Sequence, residues 1–429
     1  MRNNIVHFWA DEQHYEIREI VEIAHKIQEI NWKEIIWENI WDPVIKWEKI
    51  PDWLKKIVSD ASQKDISYAY SPSKWVTKTR EYLAKQNWKI TSEDIIFFNW
   101  LWEAINKVYG YLNRTSRVLW PNPAYPTHSS AEATHAWNFH LTYHLDPKNW
   151  WNPNLEEIEN KVKYNPNISA ILVINPDNPT GAVFSRKTLE WIIKIAKKYN
   201  LFVIFDEIYE KLTFDKKDHI LLKDIIWDLP GIAMKWLSKE VPWPGSRCGW
   251  IEVYNQDKDE NFAKYINSIF FSKMLEVCST TLPQFVLPEI YNSPNFKNSL
   301  INRIKKYKKN ADIAEKILWQ ISWLNIIKPK WAYYLTVLFD ESKIWENFYQ
   351  LIKEKKLQSF IKDISKQAKI DKKFCYYLLA EKSICTVPLS GFNSTLPWFR
   401  MTLLEENEEK FRKILYDIIE VFEKLKKSK

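Results

Sequence analysis

The sequence predicts an α/β fold, in which a mostly parallel sheet is flanked by helices and followed by a smaller α+β domain. Three observations predict it. From about residue 60 to 300, short β-branched or aromatic runs (DIIFF, SRVLW, FHLTYHL, AILVIN, LFVIFD, GIAMKWLS) alternate with helical segments. Several of those runs end in polar clusters, which is where an open sheet of this type binds its ligand. After residue 300 the pattern changes to Lys-rich helix, the strand WAYYLTVLF, a long helical stretch to about 382, SICTVPL, FRMTLL and a last amphipathic helix.

In chain order, YEIREIVEIAHKIQEI has apolar residues three and four apart and reads as a helix, and EIIWENI as a short extended piece. Residues 1–55 are therefore expected to form an N-terminal arm and part of the small domain, 56–300 the large ligand-binding domain, and 301–429 the rest of the small domain. A chain of 429 residues with 46% hydrophobic content exceeds the size at which one core usually divides.

The apolar runs are far shorter than the roughly 20 residues that span a bilayer, and no signal peptide is recognised, so a soluble cytoplasmic protein is expected. The four cysteines are far apart and form no CxxC pair, which argues against a disulfide framework or a zinc knuckle. His140 and His144 alternate within FHLTYHL as on a strand, so no metal site is expected there. The net charge of +8 comes from Lys spread among almost as many carboxylates, and no nucleic-acid-binding motif accompanies it.

Composition carries one anomaly. There are 24 Trp and only 6 Gly, whereas average usage would give roughly 30 Gly in this length. Trp41 in ENIWDP, Trp88 in KQNWKITSED and Trp150 in PKNWWNP stand among turn formers, where free access to positive φ is expected. Asn-Gly is a strong turn signal, yet here Asn precedes Trp at positions 32, 88, 100 and 150. The pattern follows at once if UGA codons that the source cell reads as Gly have been translated as Trp. Trp243, with Trp37, Trp53 and Trp250, has neighbours that do not ask for Gly and is expected to be genuine.

Chemistry concentrates at three strand ends. AILVIN runs into Asn175-Pro-Asp-Asn178-Pro-Thr-Gly181, LFVIFD ends in Asp206-Glu-Ile-Tyr209, and GIAMKWLS leads to Ser238-Lys239 and then Arg247. A carboxylate ending an apolar strand is partly desolvated and stays ionised only beside a cation or a strong donor. A protonated pyridine nitrogen is such a donor, and pairing with it is how an electron-sink ring is kept electron-poor.

NPDNPTG, FDEIY, LSKEVPWPGSRCGW and FRMTLL, in that order, resemble the class I/II aminotransferases, pyridoxal-phosphate (PLP) enzymes of fold type I. PNPAYPTHSSAEA and PLSGFN look like the alanine aminotransferase-like branch. The resemblance covers nearly the whole chain. It implies that Lys239 is the catalytic residue, holding the cofactor as an imine and moving the α-proton. Asp206 would pair with the ring nitrogen, Tyr209 and Asn178 would bond the phenolic oxygen, and Tyr125 would stack on the ring. Arg247, Ser238 and the helix start at Leu101 and Trp102 would take the phosphate. Tyr70 would reach the phosphate of a neighbouring subunit, in a homodimer with shared sites.

Arg400, with Trp41 and Asn178, would bind the substrate, the arginine gripping the α-carboxylate common to amino acid and oxo acid. Alanine or another small donor, 2-oxoglutarate as acceptor, and a ping-pong cycle are the implied activity. The chain departs from the family by showing Trp where members commonly have Gly, at 41, 75, 100, 102, 236, 331 and 398. Plainer readings are a surface lysine at 239, a helix cap at Asp206, a structural ion pair at Arg400 and solvent-facing loop at His128 and Ser129. The rival activities are a PLP β-lyase or decarboxylase and a non-catalytic PLP-binding sensor domain.

Overall fold

The computed structural model describes residues 16–40, 42–46, 48–72, 74–138, 140–215 and 219–426. Its strands are β1 (Ile36–Trp37), β2 (Ile95–Phe98), β3 (Arg117–Asn122), β4 (Thr142–Asp146), β5 (Asn152–Pro153), β6 (Ile168–Ile174) and β7 (Phe202–Asp206). They continue with β8 (Gly231–Trp236), β9 (Gly249–Tyr254), β10 (Leu324–Ile326), β11 (Tyr334–Phe339), β12 (Ile384–Cys385), β13 (Val387–Pro388) and β14 (Trp398–Thr402).

Eight strands form one sheet in the order β2-β9-β8-β7-β6-β3-β4-β5. The run β8, β7, β6, β3, β4 is parallel, and β9 and β5 pair antiparallel at its flanks. The residues of β8 and β9 are all buried, and so are nearly all of those in β6 and β7. This is why they read as continuous apolar runs rather than alternating ones. The crossover helix Arg186–Lys198 shows how the faces are covered. The hydroxyl of Ser185 accepts from the Thr188 N–H at its start, and Leu189, Ile192, Ile193 and Ala196 are buried along one stripe. Burying each of the leucine and isoleucine side chains contributes roughly 1.5–3 kcal/mol.

The chain leaves β3 toward β4 on one side and returns to β6 on the other, which makes β3 and β6 the switch point of the sheet. Loops after β3, β6, β7 and β8 converge beyond their carboxyl ends there.

A second, antiparallel sheet has the order β10-β11-β14-β13. The helix Pro294–Leu318 leads into it, and the helix Glu408–Leu425 packs along that helix. The early segment is stitched to the late one. β1 pairs in parallel with β12, and the Thr402 N–H donates to the Glu38 carbonyl at 3.0 Å.

Candidate active site

Beyond the switch point lies a cavity of about 650 Å³. Leu101, Trp102, Tyr125, Asn178, Tyr209, Lys239, Arg247 and Arg400 all line it, so strand ends far apart in sequence meet as expected. Asp206 and Ser238 are buried in the surrounding structure, and the Ser238 hydroxyl is 3.0 Å from that of Ser246. Tyr70 does not line the cavity and is 79% exposed. Trp41 lies outside the described residues.

Lys239 sits on a single helical turn, Leu237–Glu240, directly after β8. Burial pushes its amine down to about 7, helped by the guanidinium of Arg400 and against the pull of Asp206. A lysine so shifted is unprotonated in about half of the molecules near neutral pH, and is to that extent nucleophilic. The surface-lysine reading is excluded by this burial.

Arg400 extends from β14 and is 1% exposed. It donates to the side-chain oxygen of Asn178 at 2.9 Å and to the Asn39 carbonyl at 2.6 Å, and it covers the Tyr334 ring at 3.9 Å. Its Nε has no partner, and among the described residues no carboxylate forms an ion pair with it. A buried guanidinium held by neutral acceptors favours an anion arriving from outside.

Asp206 shows the place of His128, whose burial, with that of Ser129, corrects the expectation of a solvent-facing loop. One carboxylate oxygen lies 3.0 Å from His128 Nε2, and the other accepts from the Ile208 N–H at 3.3 Å. His128, fully buried on the helix Pro126–Ala136, has its other ring nitrogen 3.4 Å from the Tyr109 hydroxyl. Nothing in PAYPTH announces that pairing, because its partner lies 78 residues away. Tyr209 is 3.5 Å from the Asn178 amide nitrogen, close to the limit of a hydrogen bond.

The other end of the cavity is filled differently. Three indoles, Trp100, Trp102 and Trp236, line it. The Arg247 guanidinium lies over the Trp100 ring at 4.0 Å, and Trp100 is 6.2 Å from Trp236. Trp100 precedes the helix Leu101–Gly110, whose first N–H groups would otherwise be an anion site. A side-chain carbon on Gly249 would come within 3.3 Å of the Leu101 nitrogen, so the backbone is already close on that side.

The tryptophans divide by backbone. Trp32, Trp75, Trp137, Trp150, Trp151 and Trp227 have φ between 47° and 62°, the left-handed region. Of the four Asn-Trp pairs, positions 32 and 150 are in that region. Trp88 is absent from it, and Trp100 has extended backbone with φ 179°. The buried indole nitrogens of Trp75, Trp151, Trp236 and Trp331 have no hydrogen-bond partner. Trp250, by contrast, donates to Glu252 at 3.4 Å, and neither it nor Trp37, Trp53 or Trp243 has positive φ.

Comparison with known proteins agrees with the fold. The family model for aminotransferase class I and II matches residues 47–415. An uncharacterized aminotransferase of Methanocaldococcus jannaschii is 49% identical over the full length of both chains. A glutamate-pyruvate aminotransferase of Escherichia coli is 27% identical over 69% of this chain and 72% of its own. The alanine aminotransferase structure from Pyrococcus furiosus matches with a TM-score of 0.84 at 25% identity, covering 97% of this chain and 99% of that one. Tyrosine aminotransferase from Leishmania infantum matches at 0.83 over the full length of both chains, but at 18% identity, which is a likeness of fold. Among the described residues, no helix is long and apolar enough to cross a membrane. The chain belongs to the class I and II aminotransferases, fold-type I enzymes of a family that uses pyridoxal phosphate to exchange amino groups between amino and oxo acids.

Proposed function

We propose that this enzyme transfers the amino group of alanine, or another small donor, to 2-oxoglutarate in a ping-pong cycle, with Lys239 joined to pyridoxal phosphate. One observation carries the reading: a buried amine held near neutral pKa shares a cavity with a buried arginine that no described carboxylate pairs with. The alanine aminotransferase relatives support the choice of donor.

The reactive end suits the cofactor. Lys239 offers the amine, Asp206 a carboxylate braced by His128, and Asn178 and Tyr209 polar groups beside the ring. Bound there, the cofactor supplies an electron sink for the bond electrons released at the amino acid's α-carbon. Arg400 holds the substrate carboxylate and so fixes the α-carbon. Lys239 Nζ, freed once the substrate's amino group has taken its place on the cofactor, would take the α-proton and deliver it to the cofactor carbon that had held the lysine. Arg247 and the Leu101 helix start would hold the phosphate. That end suits the cofactor only without the three indoles.

Trp100, Trp102 and Trp236 are therefore read as glycines in the protein that the source cell makes, together with the six left-handed tryptophans. A left-handed non-glycine residue costs about 1–2 kcal/mol. Six together cost an amount comparable to the whole stability of an ordinary domain, about 5–15 kcal/mol. Mass spectrometry of the natural protein tests this directly, and intact Trp-containing peptides across residues 88–102 and 150–151 overturn it.

Exposed Tyr68, Tyr70, Phe271 and Leu275 support a homodimer, with Tyr70 reaching the partner's site. Sedimentation reports that state. For the activity, protein with glycine at the named positions is mixed with pyridoxal phosphate. The expected result is visible absorbance that alanine bleaches and 2-oxoglutarate restores. Release of ammonia or carbon dioxide without an acceptor would mark a lyase or a decarboxylase. No absorbance, and no borohydride-stable adduct on Lys239, ends the proposal.

A further inference from the structure

A second cavity, of about 500 Å³, is lined in part by Glu210, Lys211 and Lys235, which stand next in the chain to, or within two residues of, residues that line the first. Lys235 contacts Glu207 at 2.5 Å and also Glu210. Lys211 contacts Glu210 and reaches Glu240 at 2.8 Å. The series Glu207, Lys235, Glu210, Lys211, Glu240 alternates in sign, and its side chains run from 1% to 30% exposed. Burial pushes Glu207 and Glu240 up, while Lys211 and Lys235 more than offset burial at Glu210 and hold it down.

Its members are the chain neighbours of the site residues. Tyr209 lines the first cavity and Glu210 the second. Lys239 lines the first cavity, while Glu240, the next residue and about 100° further round the turn, is tied to Lys211, which lines the second. The turn Leu237–Glu240 cannot hold itself. One turn is the costly nucleus of a helix, and its terminal carbonyls have no helical partners. Arg303 supplies donors from outside, at 3.2 Å to the Lys239 carbonyl and 2.9 Å to that of Glu240, and is itself anchored on Glu48 at 2.8 Å.

We propose that Lys211 and Arg303 are positioning residues that clamp the turn bearing Lys239, Lys211 through the Glu240 side chain and Arg303 through the backbone. This rests on Lys239 being the cofactor lysine. A buried ion series is a poor source of stability, since well-packed apolar residues often do as well. Here it registers the loop carrying Asp206 and Tyr209 against the turn carrying Ser238 and Lys239. The charged groups that act most on the Lys239 amine itself are Arg400, Asp206, Arg247 and Asp42, so the proposed effect of Lys211 is on the position of the turn.

The test uses whichever form of the chain, glycine or tryptophan, takes up the cofactor. Lys211→Met is expected to lower kcat at least 10-fold with KM within about 3-fold, and Lys211→Arg to recover most of it. In the cofactor-free protein, the pH midpoint of acetic anhydride labelling at Lys239 should rise by one unit or more as the amine swings toward water. Glu240→Gln, which keeps the shape, should move that midpoint in the same direction if Lys211→Met does not fold. Variants that lose only Tm, with kcat and the labelling midpoint unchanged, overturn the clamp and leave the activity standing. A parent with no Lys239 adduct overturns both.

Discussion

The two ends of the first cavity differ in how residue type agrees with backbone. At the reactive end, Lys239, Asp206, Asn178 and Arg400 are buried polar side chains, none with positive φ, and Asp206, Asn178 and Arg400 have hydrogen-bond partners. At the phosphate end, bulky indoles stand where a helix start and an arginine could bind an anion, and Arg247 lies over a ring instead. Backbone and side chain therefore testify separately. The course of the chain is that of a phosphate cradle, and only the side chains deny it.

The largest expected effect falls on the reactive end. Lys239→Ala should lower kcat by about 10³-fold or more, because the proposed function puts both attachment and proton transfer on this one residue. Single-turnover kinetics of the cofactor-loaded variant check it, and a loss below 10-fold would move the chemistry elsewhere. Next comes a direct contrast between the two ends. Glycine at 100, 102 and 236 should tighten pyridoxal phosphate binding by about 100-fold, as expected from regained charge-assisted hydrogen bonds of about 1.5–3 kcal/mol. Pyridoxal, which lacks the phosphate, should change little. Equal gains for both ligands, by titration, would erase the distinction drawn here.

Arg400→Gln should raise KM for donor and acceptor alike by roughly 10–100-fold while leaving cofactor absorbance intact. Arg400→Lys should recover little, since it lacks the planar fork.

The depressed Lys239 amine also gives a pH test on the cofactor-free protein. Between about 7, its folded value, and about 10.4, its unfolded value, the unfolded chain binds the extra proton. Stability contributed at this site therefore rises with pH across that window, with the full burden below pH 7 and none above 10.5. Lys239→Met should raise Tm at pH 6 and not at pH 10.5.

The smallest effect isolates the backbone from the site. Trp32 is 88% exposed with φ 55°, and Trp88 is 85% exposed without positive φ. Trp32→Gly should stabilise by about 1 kcal/mol in urea melts, and Trp88→Gly should not.

Much of this was legible in the sequence because strand ends are local. NPDNPTG, FDEIY and LSKE each join an apolar run to a polar group within a few residues, so the run fixes depth and the polar residue fixes chemistry. Element order and the late strand bearing Arg400 followed from the same patterns. His128, Lys211 and Arg303 were invisible because their partners are distant. Lys211 and Lys235 read as two more lysines in a Lys-rich chain, and only the fold shows Lys235 buried on β8 and Lys211 tied to Glu210 and Glu240 from the short turn Glu210–Leu212. His144, four residues from His140, pairs with Glu157 at 2.8 Å from the outward face of β4, whose other face buries Tyr143 and Leu145. The Asn-Trp signal anticipated left-handed backbone at positions 32 and 150 and missed at 88 and 100, since a turn can close without positive φ.

The seam between β1 and β12 has a consequence for synthesis. The second acceptor for Arg400 is the carbonyl of Asn39, 361 residues earlier. A growing chain makes Lys239 and its surroundings long before Arg400, the residue proposed to hold a carboxylate. The segment around Asn39 must therefore wait for β14, so completion of the arginine's surroundings is a late event in folding.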